Sequence, residues 1–180
     1  VVTILFANTG IFVYAKLLGQ TGFDAFASIF GAIPFELTNG VDAVSPTPIP
    51  LYLTLATSTF LHGGWLHLAS NMLYLWIFGN NIEDVLGHFR FVAFYFFCGV
   101  LATVAHVVMD PGSMIPLVGA SGAIAGILGA YVAAFPGARV HTLMFLFVFV
   151  QVIRVPAVIV LGVWFIGQLL NASLSGGVGG

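Results

Sequence analysis

Residues 61–71 read Leu61-His62-Gly63-Gly64-Trp65-Leu66-His67-Leu68-Ala69-Ser70-Asn71, inside a run from Ala43 to Ile82 that contains no Asp, Glu, Lys or Arg. A bilayer crossing needs roughly 20 apolar residues, and this run supplies them. Polar side chains inside such a run are costly and therefore informative. His67 and Asn71 are four apart and share a helix face, which Ser70 and Tyr74 extend. Taken alone, the stripe reads as hydrogen-bonding glue between helices.

The rest of the chain supports a membrane reading of that run. Its 180 residues are 60% hydrophobic and only 6% charged, and its mean hydropathy is +1.12. An average soluble domain is about 25% charged. A chain this poor in charge cannot cover itself with solvated groups, which excludes a soluble globular protein. The fixed cations are Lys16, Arg90, Arg139 and Arg154. They form no patch along the sequence, which argues against nucleic-acid binding. Cys98 is the one cysteine, so neither an intrachain disulfide nor a cysteine zinc site is available. It sits beside Phe94, Phe96 and Phe97, as a buried inert thiol would.

Five segments read as spans: Val1–Leu18, Leu53–Phe78, Phe89–Val108, Val118–Phe135 and Pro156–Leu170. The fold class expected is an all-α polytopic membrane protein. Val1–Leu18 has no basic leader and no small-residue cleavage site, so it reads as a span and not a signal peptide. Val140–Val150 is apolar but short, and reads as an interfacial segment or half of a kinked span, with the interfacial reading favoured. The connection Gly19–Pro50 holds Pro34, Pro46, Pro48 and Pro50 but also Phe23, Phe26, Ile29, Phe30, Ile33 and Phe35. That apolar content predicts a segment lying on or in the membrane interface. Arg90, Arg139 and Arg154 fall on one side of the spans and Lys16 on the other, which places the long loop outside. The chain begins at a valine and ends Gly176-Gly177-Val178-Gly179-Gly180, which reads as a fragment cut within a loop.

The fourth segment opens Val118-Gly119-Ala120-Ser121-Gly122-Ala123-Ile124-Ala125-Gly126. Gly119, Gly122, Gly126, Gly129 and Ala133 step by three and four, so they predict one seam where another helix approaches closely. Ser121 lies off that seam, near a helix N-terminus whose dipole favours developing negative charge. By the topology above, Ser121, His62 and His67 lie at similar depth below the outer face. A nucleophile with nearby donors is what acyl transfer requires.

These motifs resemble the rhomboid family of intramembrane serine proteases. The resemblance rests on His62-Gly63-Gly64-Trp65-Leu66-His67 with Asn71, and on Gly119-Ala120-Ser121-Gly122. Phe78–Asp84 with Leu86-Gly87, and Val163-Trp164-Phe165 with Gln168, extend it. It implies a rhomboid-like helical bundle with five of its six core spans present. Residues 1–180 would form a single transmembrane domain truncated at both ends, with 19–52 as the long outside interfacial loop. It implies Ser121 as nucleophile and His67 and Asn71 as oxyanion donors, alongside the Ser121 backbone N–H. Gly119 and His62 would support them, Gly119 by keeping the loop before the serine open. No metal or cofactor is implied.

The family's base is a histidine on the sixth span. None of His62, His67, His88, His106 or His141 has that context, so the base is expected beyond residue 180. The expected function is an intramembrane serine endopeptidase acting on membrane proteins whose helices enter from the lipid bilayer. A non-catalytic relative that binds client membrane helices is the alternative. A small transporter would need ionisable groups at mid-membrane, and none is visible outside the His/Ser/Asn cluster. The bacterial plasma membrane, with the site facing outside, is the expected location. Trp65 and Trp164 read as interfacial anchors or as packing residues. Glu83 and Asp84 read as partners of Arg90 or caps of the third span. The sequence leaves the oligomeric state open.

Overall fold

Helix α1, Val2–Leu17, begins the computed structural model, which describes residues 1–44, 46–146 and 149–175, and side chains except those of 144–150 and 169–175. By internal contacts the chain divides into two compact units, Val1–Ile127 and Leu128–Gly180.

In the first unit the expected interfacial loop is helical and tied down. It forms α2 (Gly19–Phe30) and α3 (Pro34–Asn39). Ala32 and Leu117 exchange backbone hydrogen bonds of 3.2 and 2.8 Å, and the Phe35 N–H donates to the Ser113 carbonyl at 3.0 Å. The buried carboxylate of Glu36 accepts the N–H groups of Ala43 and Val44 at 2.8 and 2.7 Å, pinning the turn after α3.

The segment read as one span from Leu53 to Phe78 is broken. Residues 51–60 make a 3₁₀ turn, the short helix α4 (Thr54–Thr57) and a second 3₁₀ turn. The chain then leaves helical geometry at Leu61-His62 and bends through Gly63-Gly64 before α5, Trp65–Leu86. The two glycines interrupt the helix, so the polar stripe starts at a helix end and not in a helix middle. Helix α5 stops at Gly87, whose φ of 78° most side chains avoid, and α6 (His88–Met109) follows at once. Glu83 does not pair with Arg90. Its Oε1 meets His88 Nδ1 at 3.0 Å across the Gly87 turn.

Helices α1, α5 and α6 close around Phe12, Leu75, Phe78, Ile82, Phe91 and Tyr95, each at most 2% exposed. Helix α7, Ser121–Ala134, buries Ala123, Ile124 and Ile127 in this unit. A Cβ at Gly122 would run into Ala102, and one at Gly126 into Cys98, so part of the small-residue seam does receive α6. Gly119 and Gly129 depart from it. Gly119 faces the His67 ring, and Gly129 is exposed with nothing close to it among the described residues.

In the second unit the described residues of the short apolar segment, 140–146 and 149–150, are strand and not half of a kinked helix, which leaves the interfacial reading standing. They lie in an antiparallel hairpin of β1 (Arg139–Leu146) and β2 (Phe149–Pro156), in register from Arg139 with Pro156 to Leu146 with Phe149. Val140, Val150, Val152, Ile153 and Val155 favour strand over helix. Helix α8, Ala157–Ser175, follows, with the Ala157 N–H on the Ala138 carbonyl at 2.9 Å. Trp164 is buried, whereas Trp65 is 64% exposed with its ring edge-on to Phe12. Gly176–Gly180 lies outside the described residues.

The chain is therefore mostly helical. Among the described residues, α6 alone is both long and apolar enough to cross a membrane unaided, with mean hydropathy 2.1. The 16 residues of α1 rise about 24 Å, short of a hydrocarbon core of about 30 Å.

Candidate active site

The loop before α7 is shaped by one residue. Gly119 has φ 140°, a conformation that side-chain-bearing residues rarely adopt. Its N–H donates to the Ser58 carbonyl at 2.9 Å, which fixes the loop to the turn before His62. A Cβ at Gly119 would lie 2.9 Å from both Cε1 and Nε2 of His67, and 3.7 Å from Ser121 Oγ. The His67 ring and the Ser121 hydroxyl therefore both border the space that a side chain at Gly119 would fill. Ala120 is fully buried, and its carbonyl accepts the Ile124 N–H at 2.9 Å, so Ser121 enters the first turn of α7.

Asn71 lies one turn along α5 from His67 and is fully buried. Neither end of its amide has a hydrogen-bond partner among the described residues. Ser70, on the same stripe, donates to the His67 carbonyl at 3.0 Å and is not presented to the site. His62 is 2% exposed, and its ring sits edge-on to His67 with centroids 5.1 Å apart. It lines a small apolar cavity of about 30 Å³ with Phe12, Phe23, Phe26 and Val118, so it backs His67 from the α1–α2 side. No third His, Cys, Asp or Glu joins this pair among the described residues, and Ser121 has no carboxylate neighbour in the cavity it faces.

A larger cavity, about 220 Å³, opens beside Ser121. Ser58, Thr103 and His106 line it together with Gly119, Ser121 and Gly122. The sequence reading passed over Ser58 and Thr103, and named His106 only to set it aside as the base. Thr103 and His106 are three apart on one face of α6 near its end, which was a legible signal. Ser58 carried none, because it reaches the cavity through a turn placed inside an expected span. His67, Gly119 and Ser121 are thus brought together, His62 supports His67, and Asn71 stands buried along the same helix face.

A family model described as the Rhomboid domain matches residues 51–180. The chain is 38% identical over 78 residues to the chloroplastic rhomboid-like protein 11 of Arabidopsis thaliana, covering 43% of this chain and 28% of that one. It is 36% identical over 97 residues to the mitochondrial presenilin-associated rhomboid-like protein of Bos taurus, covering 53% and 26%. It is 43% identical over 76 residues to the rhomboid protease GluP of Bacillus subtilis, covering 42% and 14%. The matches thus span little more than a quarter of these relatives' lengths, or less. No solved structure matches.

Proposed function

Because this chain belongs to the rhomboid family, we propose that it carries the nucleophile and oxyanion side of an intramembrane serine endopeptidase. Family membership also makes it an integral membrane protein. The observation that carries the proposal is the close approach at Gly119, where the His67 ring and Ser121 Oγ both border the space a side chain would fill, with a polar cavity beside Ser121.

In this reading Ser121 Oγ attacks the scissile carbonyl carbon and gives its proton to a base. The carbonyl oxygen becomes an oxyanion at the N-terminus of α7, where the helix dipole favours negative charge. His67, Asn71 and the Ser121 N–H donate to it. Collapse expels the amine, which takes the proton from the base, and leaves an acyl-serine. Water then hydrolyses the ester with the base acting in the same way. His67 is committed as a donor to the oxyanion, so it does not also accept the Ser121 proton. A histidine on a further span, as the rhomboid resemblance implies, fills that place. Substrates are membrane proteins that reach the cavity from the lipid. The membrane in this reading is a bacterial plasma membrane, and the distribution of arginines in the sequence supports an outward-facing site.

The test is fluorophosphonate labelling of the full-length protein in detergent, alongside cleavage of a membrane-segment substrate. Labelling and cleavage that both vanish in Ser121→Ala support the proposal. A wild-type protein that neither labels nor cleaves would instead be a non-catalytic helix-binding relative. Cleavage that survives Ser121→Ala would remove Ser121 from the chemistry.

A further inference from the structure

The β1–β2 hairpin has two distinct faces. Val140, Thr142, Ile153 and Val155 are half-buried, while Arg139, His141, Leu143, Val152, Arg154 and Pro156 are exposed. The register places Arg139 opposite Pro156, His141 opposite Arg154 and Leu143 opposite Val152, so all six share one face. Two of the four fixed cations, scattered in the sequence, therefore do form a patch. It is graded along the hairpin. The arginines and the histidine occupy the two rungs at its base, and an apolar Leu–Val rung lies roughly 7 Å beyond the His141–Arg154 rung.

Among the described residues this charge has no ion-pair partner. No Asp or Glu occurs after Asp110, so the unit Leu128–Gly180 has no carboxylate of its own. The only ion pairs among the described residues involve Glu83. Arg154 Nε donates to His141 Nε2 at 3.1 Å, which orients the guanidinium and leaves its terminal N–H groups for a ligand. A guanidinium fork matches the oxygens of a phosphate.

We propose that this face binds the phosphate of an anionic membrane lipid, with Arg139 and Arg154 on the headgroup and Leu143 and Val152 against the upper acyl chain. Charge complementarity selects an anion, and the adjoining apolar rung selects a lipid over a soluble phosphate. The open strand edges forbid burial in hydrocarbon, where their N–H and C=O groups would go unpaired, and so place the hairpin at the headgroup boundary. The proposal rests on membrane residence and not on the Ser121 chemistry, so either can fail without the other.

The experiment is native mass spectrometry of the detergent-solubilised full-length protein, offered equal amounts of phosphatidylglycerol and phosphatidylcholine. The unaltered protein should retain phosphatidylglycerol preferentially, and salt should weaken the preference. Arg139→Gln with Arg154→Gln should reduce it by about fivefold for each arginine, the weight of one cation at an anionic surface. Arg139→Lys with Arg154→Lys should keep most of it. Arg90→Gln, outside the hairpin, should leave it unchanged. Equal retention of both lipids by the unaltered protein overturns the proposal. So does an undiminished preference in a glutamine pair with normal helical circular dichroism. Displacement of the lipid by millimolar inorganic phosphate would show that the apolar rung contributes nothing, and would overturn the lipid assignment. Should the glutamine pair unfold, the lysine pair and the salt titration of the unaltered protein decide in the same way.

Discussion

Burying an amide without partners costs about 1–3 kcal/mol, and Asn71 does this in the interior of α5. Helix glue would have a partner across the seam. An oxyanion donor is instead held unpaired for a charge that exists only during reaction. Asn71→Ala should therefore lower kcat by about 100- to 1,000-fold with little change in KM. An unchanged kcat would return the residue to a structural role. Gly119 makes a second prediction. Gly119→Ala would set a methyl 2.9 Å from the His67 ring on a backbone at φ 140°, a conformation costing on the order of 1–3 kcal/mol for a side-chain-bearing residue. The loop must move, taking the ring or the hydroxyl with it. Fluorophosphonate labelling of Ser121 should fall at least about tenfold while the helical circular dichroism stays unchanged. Normal labelling would mean that the close approach at Gly119 does not position the nucleophile.

At the scale of the elements, α6 and α7 approach as closely as their small residues allow. The contact at Gly126 has no room even for a methyl, because Cys98 already occupies that space. Gly126→Leu should overpack it and cost on the order of 1–3 kcal/mol, read as a lower Tm in detergent. Cys98→Ala in the same chain should recover part of the loss, since it removes the sulfur that collides. Independent, additive effects would show that the two residues do not touch. The spacing of the glycines announced this seam, but not its extent. Spacing records which side chains are missing, whereas contact depends on where the neighbouring helix ends or turns away. Gly129 keeps the spacing, yet among the described residues nothing lies close to it. The hairpin is the opposite case: its β-branched residues were visible, but a short apolar run has no periodicity that separates strand from buried helix.

For the whole molecule, the proposed chemistry requires a histidine to accept the Ser121 proton. His106 lines the Ser121 cavity, yet its ring is exposed and shares that cavity with two hydroxyls and no carboxylate to orient it. A polypeptide of residues 1–180 should therefore fail to label with fluorophosphonate, and extension through the next span should restore labelling. General-base assistance is worth about 100- to 10,000-fold, so the difference is readily measured. Labelling of the short polypeptide that disappears in His106→Gln would make His106 the base and remove the need for the further span.

The sequence alone carried the solvent, the family resemblance and the choice of Ser121, His67 and Asn71 as candidates. Those properties depend on composition and local spacing: 6% charge cannot cover a soluble surface, and His67 and Asn71 at four apart share a face wherever their helix lies. The tertiary structure decided what depends on residues far apart in the chain meeting. It brought His67 and Ser121 to the space beside Gly119, brought Ser58, Thr103 and His106 to one cavity, and gathered Arg139 and Arg154 on one face of a hairpin. No pattern along the chain encodes such meetings, because they depend on where helices break and strands turn, and those points are fixed by packing.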